Sequence, residues 1–538
     1  MPDKEIKKAG SLPATTATNL NNQGANLSQK VEQVNGSTKY LVDHEKRIKW
    51  FWYPETDKEG DTKSCKIDHL NYIGFLRQEG FRRYDIEENF TFIRIINNRI
   101  REASLTEIQD FIIRYVKDFF SSKPANYFLD IDEEMVLNTF YRSPQTYFSK
   151  PKLSLIGTEP FELNQDTLDI AFFYFRNGFV EVSKAGITLR DYKHLKATIW
   201  ENQVLDRDYS SSASEESNWK KFVWNISGKK EKRYQSIRTI IGYLSHSFFE
   251  YTLRAANFTD SKISEFDEGR TGKTLLSRAI GKVRNMTEIA GKSFRPEEEK
   301  KYQEVKMDTQ VVHINDASSR LNFELLFNDI TDGMRVRRLY KEPFTLKAKM
   351  IISTNKPLAV HGSSSLARVV EFEFADHYSK EFTPETEFGQ WFFRDWNESD
   401  WASFDCFMLN CVHEYFVYGL LEAEEINLSQ RKLINETSKE FVEFMTDCFD
   451  DENGQREPFL RYGHEFDIKE LFQKFVSEFE EYGQNARRLS QTMFTKHLKL
   501  YALHKKIKVE QKKSGSRRSL IYYTDIHIIK VRQNEFDF

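Results

Sequence analysis

Apolar residues in the first two hundred positions recur in the patterns of short strands and amphipathic helices. The segment 92–100 predicts a strand, an Asn97-Asn98 turn and a second strand. Ser104 and Glu107 have the spacing of a capping box, and apolar positions 108, 111, 112, 115, 116 and 119 follow at helical spacing. A second hairpin is predicted over 171–182, because Asn177-Gly178 is a strong hairpin signal. These patterns indicate an α+β module.

The rest of the chain shows three further patterns. Between 250 and about 380, short apolar runs alternate with helical stretches, which is typical of a parallel sheet with crossover helices. Aromatic-rich helices are predicted from 383 to 439. The last hundred residues carry two amphipathic helices, at 467–479 and 489–503, and then a hairpin with a basic turn. That layout is typical of a winged helix, with His497 expected near the exposed side of its second helix.

Two polar segments complete this division of the chain. Residues 1–38 are rich in Ser, Thr, Asn, Gln and Gly and are predicted to be disordered, and residues 210–217 are predicted to be a linker. We therefore expect a disordered tail (1–38), an N-terminal α+β module (39–209), a helical connector (218–250), an α/β core (251–382), a helical extension (383–440) and a winged-helix-like domain (441–538).

Composition excludes several classes of protein. Hydrophobic residues make up 39% of 538, but no run is long enough for a membrane helix. The N-terminus has no apolar signal segment, so we expect no membrane partner and a cytoplasmic location. The four cysteines form no CxxC pair, which argues against a disulfide framework or a cysteine zinc site. A net charge of -3 means that any nucleic-acid site must come from local charge.

A candidate phosphate-binding loop lies at Gly269-Arg270-Thr271-Gly272-Lys273-Thr274. Small residues let backbone N–H groups turn toward phosphates, while Lys273 suits the outer phosphates of ATP and Thr274 suits Mg²⁺. A helix with apolar positions 276, 279, 280 and 283 follows, and its N-terminus favours anions. The full pattern requires a glycine where this chain has Asp267, and the preceding strand, at 254–259, is weak.

Three residues that follow the loop support a nucleotide site. Asp316 ends the apolar run 311–315, where a hydrolase places the carboxylate that holds Mg²⁺. The alternative is a turn residue that ends a strand. Asn355 ends the run 349–354 and is suited to orient an attacking water. Arg368 precedes the run 369–374 and is suited to reach the γ-phosphate in a neighbouring subunit as an arginine finger.

Two basic segments are candidates for DNA binding. The first is a predicted loop after Gly333, and the second spans 487–518, where eleven Lys and Arg residues accompany one acid, Glu510. Such one-sided charge favours a phosphate backbone; the alternatives are a solvated hairpin and a solubilising surface. The candidate contact residues are Arg335, Arg337, Arg338, Lys341, Arg487, Arg488, Lys496, Lys499, Lys512, Lys513, Arg517 and Arg518.

Taken in order, these motifs resemble superfamily 3 helicases, and more narrowly the primase-helicase replication proteins of bacteriophages and mobile elements, related to the poxvirus primase-helicase. The resemblance covers roughly 75–530 and rests on EGRTGKT, VVHINDAS, FELLFNDITDGMRVRRLYKEP, KMIISTNKP and SLARVVEFEF. It implies an AAA+-type P-loop core, working as a hexameric ring that translocates on DNA by ATP hydrolysis in a bacterial host cell.

The resemblance also implies residue roles. Lys273 and Thr274 would belong to the Walker A motif and Asp316 to Walker B, with Thr274 and Asp316 on the metal. Arg337 and Lys341 would lie in the DNA-contacting loop. Asn355 would be the sensor and Arg368 the finger. The family usually has a second acid where this chain has Asn315, and an amide cannot act as a base.

Three functions therefore stay open. The first is an ATP-dependent DNA helicase or translocase in replication, working with a possible separate primase or other replication proteins. The second is a DNA-binding replication-initiation scaffold with a weak or degenerate ATPase, which Asn315 and Asp267 favour. The third is a primase that uses Asp130 and Asp132 as paired metal ligands, although their context more naturally predicts a loop and a helix start.

Overall fold

The computed structural model describes residues 47–250, 253–263, 270–318, 321–339, 341–358, 362–449, 460–483, 489–514 and 517–523. The tail predicted at 1–38 lies outside these residues. Among the described helices, none is both long and apolar enough to cross a membrane.

The N-terminal unit has its own apolar core, formed by residues between Trp50 and Ile156. Its four-stranded sheet has the order β3-β4-β5-β9. The turn between β4 and β5 uses Asn97 and Asn98 at positive φ, which Asn tolerates in turns. The elements are β1 (Trp52–Thr56), β2 (Thr62–Ile67), α1 (His69–Gln78), β3 (Phe81–Ile86), β4 (Asn89–Ile96), β5 (Arg99–Ala103), α2 (Leu105–Ser121), α3 (Glu133–Arg142), α4 (Pro144–Phe148) and α5 (Lys150–Leu153), with β9 (Ile199–Trp200) supplied from further along the chain.

Local sequence explains how the helices of this unit begin. The predicted capping box is confirmed, because Ser104 accepts a hydrogen bond from the Glu107 N–H while Glu107 accepts one from Ser104. Asp132 caps α3 by accepting from the Met135 N–H at 2.8 Å. That contact supports the helix-start interpretation of Asp132.

A second four-stranded sheet, with the order β10-β6-β7-β8, packs against the central core and not against the N-terminal core. The predicted hairpin across Asn177-Gly178 is confirmed as β6 and β7. One face of this sheet therefore belongs to the same apolar core as the elements that follow it in the chain. The elements are β6 (Ile170–Phe175), β7 (Gly178–Ser183), β8 (Gly186–Arg190), β10 (Val204–Leu205), α6 (Asn218–Ile226) and α7 (Glu231–Ser245).

The central core is built on a five-stranded parallel sheet with the order β12-β13-β16-β11-β17. This mixed α/β arrangement confirms the predicted parallel sheet and fits a P-loop-type core. A short hairpin, β14-β15, lies between β13 and β16 in the chain. The elements are β11 (Ala255–Asp260), α8 (Lys273–Ile280), β12 (Met286–Ala290), β13 (Val311–Asn315), α9 (Phe327–Thr331), β14 (Met334–Val336), β15 (Phe344–Leu346), β16 (Lys349–Ser353), α10 (Gly362–Leu366) and β17 (Val369–Phe374).

Two helices that follow β17 in the chain, α11 (Pro384–Phe388) and α12 (Glu398–Tyr418), contribute apolar side chains to the same core. Helix α12 packs closely on α7 at Gly242, where a Cβ would lie 2.1 Å from the Cys411 carbonyl oxygen. The predicted linker 210–217 is anchored here, because Glu215 contacts Arg238 at 3.0 Å and Asn410 at 3.1 Å.

The C-terminal unit has a third apolar core. Two amphipathic helices and a hairpin are present as predicted, and a short strand extends the hairpin into a sheet with the order β18-β20-β19. His497 differs from expectation: it is buried, with its ring centroid 5.3 Å from that of Phe441. The elements are α13 (Leu428–Glu436), α14 (Lys439–Phe449), β18 (Glu465–Asp467), α15 (Ile468–Glu478), α16 (Gln491–His504), β19 (Lys508–Ser514) and β20 (Arg517–Tyr523).

Candidate active site and nucleic-acid interface

The candidate phosphate loop follows the carboxyl end of β11, at the edge of a parallel sheet where ligands commonly bind. Gly269 lies outside the described residues. Gly272 adopts φ +104, and a Cβ there would lie 2.8 Å from the Phe222 ring, so a glycine is required at this position. Arg270 also has a positive φ, at +66. Helix α8 begins immediately afterwards at Lys273.

Lys273 is buried at the head of α8 and paired with an acid that no sequence pattern singled out. Its Nζ lies 2.5 Å from Oδ1 of Asp260, the last residue of β11, and the Thr271 hydroxyl donates to the same oxygen. Burial lowers the pKa of Lys273, and the Asp260 carboxylate opposes that shift. The contact holds the ammonium group at the end of β11.

The end of β13 carries a hydrogen-bond network centred on Asn315. Its Oδ1 accepts from the Thr274 hydroxyl at 3.2 Å and from the Ser353 hydroxyl at 2.9 Å. Its Nδ2 donates to Oε1 of Glu288 on β12 at 2.7 Å. The structure therefore brings Thr274 to Asn315, whereas the sequence had paired Thr274 with Asp316.

Asp316 lies just past the strand, in the left-handed region at φ +57. Its Oδ1 is 3.5 Å from Nδ2 of Asn355, and its Oδ2 is 2.9 Å from the exposed Lys292 Nζ. Asp316 and Asn355, which follow neighbouring strands β13 and β16, are thus brought together. The left-handed turn directs the Asp316 backbone N–H to the Ser353 hydroxyl at 3.2 Å.

Arg431 of α13 is a buried residue of this region that no sequence pattern indicated. Its guanidinium donates to the Asn355 carbonyl at 2.6 Å, to the Thr259 hydroxyl at 3.2 Å and to the Asp260 carbonyl. It thus joins the ends of β11 and β16 from a helix about 170 residues away in sequence. No local signal could have found it, because its partners are mainly backbone carbonyls of a distant strand and loop.

Arg368 lies at the opposite edge of the same sheet. Its carbonyl accepts from the Ala255 N–H, which begins β11, whereas the phosphate loop follows the end of that strand. A six-residue strand spans about 20 Å. The Arg368 guanidinium contacts Ser364 and lies 4.8 Å from the Phe327 ring centroid. The structure therefore separates Arg368 from the other predicted site residues of its own chain.

The first basic segment belongs to the hairpin β14-β15: Arg335 lies on β14, and the other three candidate DNA contacts lie in the loop between the strands. Each of the four is ion-paired. Arg335 binds Glu87 at 2.6 Å, and Arg337 binds Glu299 at 2.8 Å. Arg338 and Lys341 both bind Glu102, at 2.9 Å and 3.3 Å.

The second basic segment presents its described lysines to solvent. Lys496 and Lys499 are exposed on α16, Lys512 and Lys513 are exposed on β19, and Arg518 is exposed on β20. Arg517 begins β20, and Arg487 and Arg488 lie outside the described residues. The exposed positions are spread over a helix and the adjoining hairpin.

Comparison with known proteins gives only distant similarities. No family model and no curated protein matches the chain. Among solved structures, the A-form apo structure of the NrS-1 C-terminal region is 12% identical, with 86% of this chain and 100% of that chain covered and a TM-score of 0.40. JCV helicase bound to a substituted phenoxyphenyl acetamide is 13% identical, with 41% and 65% covered and a TM-score of 0.26.

Proposed function

We propose that this chain is an ATP-driven motor that moves on DNA during replication, with the helicase activity expected from its motifs. One observation carries the proposal: polar side chains from β11, β13 and β16 meet beside Lys273 and Thr274 at one edge of a parallel sheet. A phosphate loop faced by carboxylate and amide oxygens is the arrangement that nucleotide hydrolysis requires.

The contacts support a division of roles that differs from the one expected from sequence. The Thr274 hydroxyl and Asn315 Oδ1 are hard oxygen ligands, 3.2 Å apart, of the type that Mg²⁺ prefers. When bound, Mg²⁺ would neutralise charge on the phosphates of ATP. Asp316 would then act on the water instead of the metal, because its carboxylate, beside Asn355, is suited to accept the proton of the attacking water. Asn315 therefore does not leave the site without a base.

The position of Arg368 supports action between subunits. At about 20 Å from the phosphate loop along β11, it does not reach the phosphates of its own site. As an arginine finger it would serve the site of a neighbouring copy, as in a homo-hexameric ring. This arrangement would make hydrolysis depend on assembly.

The test is ATP hydrolysis measured with and without single-stranded DNA. Lys273→Ala should abolish hydrolysis, and Asp316→Asn should reduce it by at least about 100-fold if the carboxylate takes the proton. Lys300→Ala, at an exposed lysine of the same domain, is the matched control and should behave as wild type. Hydrolysis by Lys273→Ala at the wild-type rate would refute the proposal.

The second candidate is a replication-initiation scaffold that binds nucleotide and DNA without rapid turnover. The amide of Asn315 beside Thr274 favours it, because an amide holds Mg²⁺ less strongly than a carboxylate does. Filter binding of ATP and DNA together with a turnover assay separates the two. Tight binding of both ligands with no DNA-stimulated hydrolysis would support the scaffold.

A further inference from the structure

Asn315 is held in one orientation by Glu288. A carboxylate only accepts hydrogen bonds, so the 2.7 Å contact from Asn315 Nδ2 to Glu288 Oε1 fixes which end of the amide is the NH₂ group. Residues 288 and 290 of β12 pair with 313 and 315 of β13. Glu288 is therefore a diagonal neighbour of Asn315 across the two strands, within reach of a long side chain.

The opposite side of the amide is fixed as well. Ser353 Oγ lies 2.9 Å from Asn315 Oδ1, and His313 Nε2 lies 3.0 Å from the same hydroxyl. A proton on Nε2 lets the ring donate to Ser353, whose hydroxyl then donates to Asn315.

We propose that Glu288 is a positioning residue for the nucleotide site: it aims Asn315 Oδ1 at Thr274 and lets an amide stand where a carboxylate would otherwise hold Mg²⁺. The inference rests on the proposed ATPase. A charged acceptor also polarises the amide and strengthens its oxygen as a ligand. The Glu288–Asn315 pair thus carries one negative charge. That charge is on Glu288, which is hydrogen-bonded to the same amide group whose oxygen would bind Mg²⁺.

The test exchanges the two groups. Glu288→Ala removes the acceptor and frees the amide to turn, so the Mg²⁺ concentration for half-maximal hydrolysis should rise roughly 10- to 100-fold, as when outer-shell partners are lost. Asn315→Asp alone places two carboxylates about 2.7 Å apart, so the Mg²⁺ concentration for half-maximal hydrolysis should rise in this variant too. The double variant Glu288→Gln/Asn315→Asp restores one charge and the hydrogen bond, and should return near to wild type.

Recovery in the double variant distinguishes positioning from general damage to the fold. Mg²⁺-dependent binding of a fluorescent ATP analogue in the absence of turnover gives a second readout. Glu304→Ala, at an exposed glutamate of the same domain, is the control. The inference would be overturned if Glu288→Ala kept the wild-type Mg²⁺ dependence. It would also be overturned if Asn315→Asp alone needed no more Mg²⁺ for half-maximal hydrolysis than the double variant. A wild-type protein that neither binds nor hydrolyses ATP would instead refute the proposed function.

The basic hairpin, defined as β14, β15 and the described residues between them, is covered by acidic side chains. Glu102 of β5 receives two guanidinium nitrogens of Arg338, at 2.9 Å and 3.1 Å, and Lys341 at 3.3 Å. Glu87, between β3 and β4, receives Arg335 at 2.6 Å and 2.7 Å. Two glutamates of the N-terminal unit therefore cover three of the four cations.

The geometry of the Arg338–Glu102 pair resembles phosphate recognition. A carboxylate that accepts two parallel N–H groups occupies the same guanidinium edge that a phosphate would use. Arg338 is also nearly buried, with its side chain 10% exposed and 5.0 Å from the Phe344 ring centroid. Burial by itself would raise the pKa of Glu102, but the hydrogen bonds and positive charges of Arg338 and Lys341 keep that pKa below its usual range. The carboxylate therefore stays ionised at neutral pH.

We infer that the N-terminal unit masks the basic hairpin, so that Glu87 and Glu102 compete with the DNA backbone for the same cations. The inference assumes that the hairpin binds DNA, as the proposed function holds. Engagement of DNA then requires the two surfaces to separate. This would give the N-terminal unit a regulatory role that its own motifs do not indicate.

Charge-neutral substitutions of the glutamates test the masking. Glu102→Gln should tighten binding of a single-stranded oligonucleotide by about tenfold, because the Glu102 side chain is largely shielded from solvent. Glu87→Gln should tighten it by about threefold, because the Glu87 side chain is nearly half exposed and its ion pair is weaker. Glu159→Gln is the matched control: it breaks the Arg82–Glu159 pair of the same unit with the same change in net charge. Fluorescence anisotropy at two salt concentrations gives the affinities.

The outcomes are distinct. Glu102→Gln binding DNA no more tightly than Glu159→Gln would overturn the masking. If Glu102→Gln no longer tightens oligonucleotide binding once Arg338→Ala is added, the masking is supported, because the guanidinium that Glu102→Gln releases is then absent. Absence of DNA binding in every variant, wild type included, would refute the DNA-binding part of the proposed function instead.

Discussion

Replacing Asp260 with asparagine should tighten ATP binding. Lys273 is expected to contact the outer phosphates of the nucleotide, yet its ammonium lies 2.5 Å from the Asp260 carboxylate. The two side chains are 9% and 10% exposed, so solvent screens the pair little. Binding a phosphate therefore requires Lys273 to leave a charged partner, and a weaker partner lowers the cost of that step.

The size of the effect follows from the chemistry of the exchange. Hydrogen bonds to charged groups contribute about 1.5–3 kcal/mol and neutral ones about 0.5–1.5 kcal/mol. The amide of Asp260→Asn keeps a hydrogen bond but loses the charge, so the hold on Lys273 weakens by about 1–2 kcal/mol. ATP affinity should rise about 5- to 30-fold. The nucleotide-free protein loses the same stabilising ion pair, so its free energy of unfolding should fall by about 1–2 kcal/mol.

The assay combines equilibrium binding of a fluorescent ATP analogue with urea unfolding in the presence and absence of nucleotide. Glu371→Gln is the control. It breaks the part-buried ion pair between Glu371, on β17 of the same sheet, and Lys432 of α13, so it should lower stability without tightening ATP binding. If Asp260→Asn loses stability but binds ATP no more tightly than wild type, Asp260 does not compete with the phosphates and the reasoning is refuted.

Three further predictions concern other parts of the chain. Burial lowers the pKa of Lys349 to about 7, so the unfolded chain binds more protons than the folded one between about pH 7 and 10 and stability rises with pH there. Lys349→Met should therefore raise the free energy of unfolding by roughly 4 kcal/mol at pH 7 but only roughly 2 kcal/mol at pH 9, measured by urea denaturation. Mixing Arg368→Ala with Lys273→Ala should restore part of the ATPase activity, since each supplies what the other lacks; a mixture that stays inactive contradicts a finger acting between subunits. Lys512→Ala/Lys513→Ala should weaken DNA binding and reduce the slope of log affinity against log salt by about 2, and an unchanged slope would exclude these contacts.

Strand and turn positions could be predicted well where the signal is local. The Asn97-Asn98 and Asn177-Gly178 turns, the Ser104 cap and the apolar run of β13 depend on neighbouring residues, and all are present. Strand β11 looked weak because Asn257 and Thr259 interrupt its apolar pattern. Both are fully buried: Asn257 donates to Glu371 and Thr259 accepts from Arg431. Polar residues fit a buried strand more readily when distant side chains bond to them, and the strand's own sequence does not show those partners.

The contact of Thr274 with Asn315, and not with Asp316, has a similar physical cause. Alternation places 311, 313 and 315 of β13 on one face, and it is on that face that Thr274 and Ser353 meet the Asn315 amide. In a half-exposed sheet, polarity would reveal which face each residue occupies. A parallel sheet is covered on both sides, so apolar residues occur on both faces of its strands and alternation carries no such signal. The sequence could thus predict that β13 ends beside the candidate phosphate loop. Which of the two adjacent polar residues contacts Thr274 depends on the left-handed turn at Asp316, a conformation that aspartate tolerates but does not dictate.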